Sequence, residues 1–195
     1  VIAGGILLAF VCWGITFGWI GYFWLKIGLS VLAVAAYSLI WQRPNLSFRP
    51  KSVILGVLSA AVLYLVFVLG NALAPFVVHE ATTEVGGIYG LGTGTSRVVV
   101  ALLLLFITGP GEEIFWRGFL QSRMQSRWGV LPGYLTATAV YASVHVFSRN
   151  PVLVLAALVA GAFWGALYLW KRDVALLIVS HSLWSALIFA IAPVR

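Results

Sequence analysis

A chain of 195 residues that is 62% hydrophobic and only 9% charged, with mean hydropathy +1.05, has too little polar surface to be a soluble domain. The formal charge of +7 does not mark a nucleic-acid binder, because the basic residues are scattered among short connections between apolar runs; they read as topology signals and contacts to anionic lipid. The lone cysteine, Cys12, lies in an apolar run, which excludes a disulfide or a thiolate metal cluster and suits a small buried hydrophobe.

The expected fold is an all-α polytopic membrane protein, a single transmembrane domain over 1–195 built as a bundle of about seven helices around a central polar cavity. The chain begins with Val rather than Met, and a segment upstream of Val1 is expected. A glycine-rich first helix is predicted from Val1 to about Tyr22, and a second from Phe23 to Trp41. The proline- and arginine-containing connection Arg43 to Lys51 follows. The third helix spans Ser52 to Val78, with Pro75 as the point where it kinks or stops. Residues 79–95 are the least apolar stretch and read as a surface loop, a lid over a site below; His79 beside Glu80 fits a solvated pair.

The fourth helix runs from Ser96 toward Arg127. At about 1.5 Å per residue it is roughly 45 Å long against a hydrocarbon core of roughly 30 Å, so it either projects into the cytoplasm or breaks, with Gly109-Pro110-Gly111 as the expected break. The fifth spans Leu131 to Phe147 with Pro132 at its first position. The sixth spans Pro151 to Trp170 and carries a small-residue strip, Gly161, Ala162, Gly165 and Ala166, for close packing. The seventh spans Val174 to Ala192. Assigned to alternating ends, Arg43, Arg49, Lys51, Arg123, Arg127, Lys171 and Arg172 share one side. Lys26, Arg97, Arg149 and Arg195 share the other with Glu80 and Glu84. Seven cations against four make the first side cytoplasmic.

The chain turns on Gly109-Pro110-Gly111-Glu112-Glu113-Ile114-Phe115-Trp116-Arg117-Gly118-Phe119-Leu120. Ionisable groups in such apolar surroundings cost several kcal/mol and persist where they pair, meet water or do chemistry. Glu113 and Arg117 are i, i+4 neighbours and neutralise each other. Glu112 points about 100° away, with no local partner. The helix dipole and Arg117 favour its carboxylate while apolar burial favours the acid, a balance that suits a general base. Two of the three histidines, His145 and His181, also lie inside apolar helices, and each needs a partner from another helix. Glu112, His145 and His181 facing one cavity satisfies all three. Tyr141 precedes His145 by one helical turn, and Ser185 follows His181 by one.

Glu-Glu-x-x-x-Arg, then aromatic-x-x-x-His, then His-x-x-x-(small polar), on successive transmembrane helices over 96–192, resembles the CAAX-processing and bacteriocin-processing family of intramembrane proteases. The interval 145 − 112 = 33 also suits that family. The resemblance implies that Glu112 acts as general base on a water, with His145 holding or deprotonating it. Glu113 and Arg117 are then a supporting ion pair, and His181 with Ser185 stabilises the oxyanion. The sequence departs from the family pattern twice: Tyr141 stands for the usual Phe, and Ser185 for the usual Asn, whose reach is longer. The expected partners are a membrane-anchored protein or peptide substrate and the lipid bilayer, with no nucleic acid. The expected location is a prokaryotic plasma membrane.

No metal is favoured as cofactor, because Glu112 and His145 suffice for the water. The alternative is a three-ligand zinc site of Glu112, His145 and His181. Two other functions use the same residues: a proton- or ion-coupled transporter, and a catalytically idle immunity or scaffold protein of the same family.

Overall fold

The computed structural model describes residues 1–76 and 80–194, so His79 lies outside the described residues. Among these, every regular element is helical. The elements are α1 (Ile2–Gly18), α2 (Phe23–Trp41), α3 (Pro50–Leu73), α4 (Ala81–Gly90), α5 (Arg97–Trp128), α6 (Val130–Ser148), α7 (Pro151–Lys171) and α8 (Val174–Ile191). Six of these helices are long and apolar enough to cross a membrane; α1 is equally apolar but has 17 residues. The protein is an integral, multi-pass membrane protein.

Local chemistry sets the helix ends. Asp173 and Asn150 cap α8 and α7, their side chains accepting from Leu176 N at 3.1 Å and Leu153 N at 2.8 Å. Pro50 and Pro151 open α3 and α7, where a missing N–H costs nothing. Gly129, at φ 94°, makes the reversal from α5 to α6 that a side chain would resist. α6 begins at Val130, so Pro132 sits within its first turn rather than opening it.

Two buried clusters hold the bundle. One gathers Trp13 of α1, Val31 and Val34 of α2, Phe115, Trp116, Phe119 and Leu120 of α5, and Val144 of α6. The other joins Leu63 of α3, Trp164 of α7, and Leu176, Leu177 and Trp184 of α8. Outward, Leu58, Val62, Leu65 and Leu69 of α3 are exposed apolar side chains whose matching solvent is lipid. The two ends of the bundle are tied separately. At one, Ser52 donates to Asp173, Arg123 to Trp41 O and Arg172 to Gln125. At the other, Asn150 donates to Glu84 O, Tyr64 to Ala192 O and Val194 N to Tyr89.

The expected surface loop contains a helix instead. α4 forms despite Gly86 and Gly87 because Val85, Ile88 and Tyr89 share a face that lines the cavity described below; packing overrides propensity. The expected break in α5 is also absent. Gly109, Pro110 and Gly111 are α-helical, and the strain is taken up beside them in two wider π-helical stretches, Leu104–Thr108 and Ile114–Gln121. Pro110 lacks an N–H and its ring crowds the preceding turn, which a wider turn accommodates without breaking the rod. α5 therefore stays one helix of 32 residues.

Candidate active site

The central stretch of α5 is helical on both sides of its acids, so Glu113 and Arg117 do stand one turn apart, with Arg117 Nη1 donating to Glu113 Oε1 at 2.7 Å. Both are buried, at 0% and 2% exposure, too deep for water to screen the pair. Arg117 is tied further: Nη2 donates to Gly161 O at 3.1 Å, and the guanidinium lies 4.9 Å from the Tyr141 ring centre and 5.5 Å from that of Trp164. Gly161 permits this, because a Cβ there would meet Tyr141 Cδ1 at 2.8 Å.

α8 brings His181 to the same carboxylate. Its Nδ1 lies 2.7 Å from Glu113 Oε1, and its ring stacks on Trp164 at 3.8 Å and 18°. The partner expected from the sequence was Glu112; the structure gives His181 to Glu113. The close approach of α8 to α5 explains it, since Gly109 lets Ser182 in so tightly that a Cβ would meet Ser182 Cα at 2.8 Å. Glu113 thus accepts two donors on Oε1, while its Oε2 is buried without a hydrogen bond.

Glu112 is not without a local partner. Its Oε2 accepts from Trp116 Nε1 at 3.2 Å, one turn along the same helix. His145 lies on the last, tighter turn of α6, where its Nδ1 is 2.8 Å from Tyr141 O. A carbonyl only accepts, so Nδ1 carries the proton and Nε2 presents a lone pair. Trp13 of α1 donates to that lone pair from Nε1 at 3.4 Å.

These groups share one cavity of about 310 Å³. Glu112, Tyr141, His145, His181 and Ser185 all line it, among apolar side chains from α1, α2, α3, α7 and α8. Val85, Ile88 and Tyr89 of α4, from the 79–95 stretch, line it as well. Ser185 is buried at 3% exposure, and its hydroxyl makes no hydrogen bond among the described residues. Among the described residues no three His, Cys, Asp or Glu side chains gather at metal-binding range, and His181 Nδ1 faces Glu113.

Residues 94–187 match the family model described as type II CAAX prenyl endopeptidase Rce1-like. Over that segment the chain is similar to CAAX-type membrane proteases. No curated protein and no solved structure matches it. All three sequence motifs, from Glu112 to Ser185, fall inside the matched segment, whereas Trp13 lies outside it. The tryptophans around the site are the residues that sequence reasoning missed. Trp13, Trp116 and Trp164 each contact an ionisable group, and the only available signal was general: a buried indole N–H needs an acceptor.

Proposed function

We propose that the protein is an intramembrane endopeptidase of a prokaryotic plasma membrane that hydrolyses a peptide bond of a membrane-anchored protein or peptide, without a metal. Glu112 takes a proton from a water that His145 Nε2 orients or helps to deprotonate. The resulting hydroxide adds to the scissile carbonyl carbon. The oxyanion is met by the Ser185 hydroxyl and by His181 Nε2–H in its imidazolium form, since Nδ1 already faces Glu113. When the C–N bond breaks, the proton held by Glu112 passes to the amine nitrogen of the leaving fragment.

The observation that carries this reading is that Glu112, His145, His181 and Ser185 line a single cavity. A transporter would need the same groups strung along a path. Covered by α4 and walled by apolar side chains, the cavity suits an apolar peptide segment entering from the α4 end. By the distribution of cations that end is extracytoplasmic, which favours processing of a sorting tail or secreted peptide over maturation of prenylated proteins in the cytosol.

The test is cleavage of a panel of quenched-fluorescent, membrane-anchored peptides by protein reconstituted in liposomes. Glu112→Gln and His145→Ala are each expected to lower the rate by about 10²–10⁴-fold, the range of general acid–base assistance. A zinc chelator is expected to leave the wild-type rate unchanged. Equal processing by all three proteins rules out the mechanism, and a folded wild type that cleaves none of the panel favours the idle immunity or scaffold alternative.

A further inference from the structure

The two groups proposed to share the water are each held by an indole, and the two indoles hold each other. Trp116 Nε1 donates to Glu112 Oε2 at 3.2 Å, and Trp13 Nε1 donates to His145 Nε2 at 3.4 Å. The Trp13 and Trp116 rings meet edge to face at 5.6 Å and 76°. Trp13 is completely buried and packs on His145 as well, with ring centres 6.1 Å apart. The chain is continuous: carboxylate, indole, indole, imidazole. Its middle link bridges the family-matched segment and α1, which lies outside it.

We propose that Trp13 is a positioning residue for hydrolysis, a clamp on α1 that sets the spacing and tautomer of His145 relative to Glu112; this rests on the peptidase reading. Two fixed groups specify the imidazole. Tyr141 O requires a proton on Nδ1, and the Trp13 N–H requires a lone pair on Nε2, because two N–H donors cannot face each other. The opposite tautomer fails at both ring nitrogens. A separation of 3.4 Å is at the long end for N–H···N, so an incoming water can compete for the same lone pair without first breaking a short bond. The bulk of Trp13 against Trp116 keeps that water's two partners from drifting apart as α1 and α5 move in the bilayer. α1 thereby becomes part of the active centre.

The closing experiment reads Trp13 in two ways, only one of which needs turnover. In protein labelled with ¹⁵N-indole and held in detergent micelles, the Trp13 Nε1–H resonance is identified by its loss in Trp13→Phe. On His145→Ala the Trp13 resonance is expected to shift and to exchange with solvent at least several-fold faster, the other indoles staying in place. An unmoved Trp13 signal overturns the proposal, whether or not any peptide is ever cleaved. With the reconstituted protein and the fluorescent peptides, Trp13→Phe keeps the aromatic packing and removes only the donor. It is expected to lower kcat about tenfold with KM unchanged, and to have no further effect in the His145→Ala background. A KM-only effect, or equal losses in both backgrounds, means that Trp13 only packs, and overturns it. Should Trp13→Phe fail to fold, the resonance is identified instead by elimination, replacing the other eight tryptophans one at a time. If the wild type cleaves nothing, the peptidase reading falls while the indole result still decides whether Trp13 holds the His145 lone pair.

Discussion

Ser185 is where a single atom decides most. Its hydroxyl lines the cavity and makes no hydrogen bond among the described residues, so it is free to donate to a bound substrate. The related family places the longer amide of Asn at the corresponding position. Ser185→Ala should therefore lower kcat, by less than the roughly 10²–10³-fold typical of losing a well-placed oxyanion donor, because serine reaches less far. Ser185→Asn should raise it by about tenfold, and initial rates on one reporter peptide check both. A rate unchanged in both variants would remove Ser185 from the oxyanion site. Arg117 behaves differently. Arg117→Met leaves Glu113 buried with only His181 beside it, and uncoupling a buried ion pair costs about 3–5 kcal/mol, read as a large drop in thermal unfolding temperature in detergent. Of these contacts the sequence made the Glu113–Arg117 pair legible, because i, i+4 spacing on a helix leaves little freedom. The His181–Glu113 bond was not legible. Neighbouring carboxylates differ by about 100° around the helix, and the choice between them depends on how closely α8 approaches, which no spacing within one helix encodes.

At the scale of the element, α5 shows how a proline inside a transmembrane helix can be kept without a break. Its wider turns on both sides of Gly109–Glu113 absorb Pro110. The glycines flanking the proline read as breakers in the sequence, yet Gly109 is there for clearance: with Ser182 Cα 2.8 Å from where a Cβ would stand, only hydrogen fits. Gly109→Ala should push α8 outward, separate His181 from Glu113 and lower both stability and activity. The cost of overpacking is about 1–3 kcal/mol. Gly86→Ala on α4 is the matched control: nothing lies within 4 Å of its Cβ, so stability should hold or rise slightly and activity persist. Thermal unfolding of both variants in the same detergent separates the two kinds of glycine. Helix number and order came directly from apolar run length, which the hydrocarbon thickness imposes on any spanning segment. The short helix α4 escaped because its residues are polar and glycine-rich, and its helicity depends on a cavity wall contributed by distant parts of the chain.

For the whole molecule, the open question with most leverage on substrate is which face of the membrane the cavity meets. The bundle has two distinct ends. The 42–49 connection, the Gly129 turn and Arg172–Asp173 lie at one; the α4 segment and Arg149–Asn150 lie at the other, beside the cavity. Among the described residues cations crowd the first end, seven against three, and the retention of Lys and Arg on the cytoplasmic side predicts that this end faces inward. Two exposed positions report on this, Asn45 in the first connection and Thr83 on α4. In intact cells a membrane-impermeant maleimide should label Thr83→Cys and leave Asn45→Cys unlabelled until the membrane is permeabilised. The native Cys12 is buried and gives little background. This pattern would make the substrate a segment presented from outside the cell membrane. The reverse pattern would turn the cavity mouth to the cytosol, where the carboxyl-terminal tails of prenylated proteins become the fitting substrate and the charge count is overruled. Either way the labelling fixes the pool of peptides from which the scissile bond is drawn, because Val85, Ile88 and Tyr89 of α4 line the same cavity as Glu112.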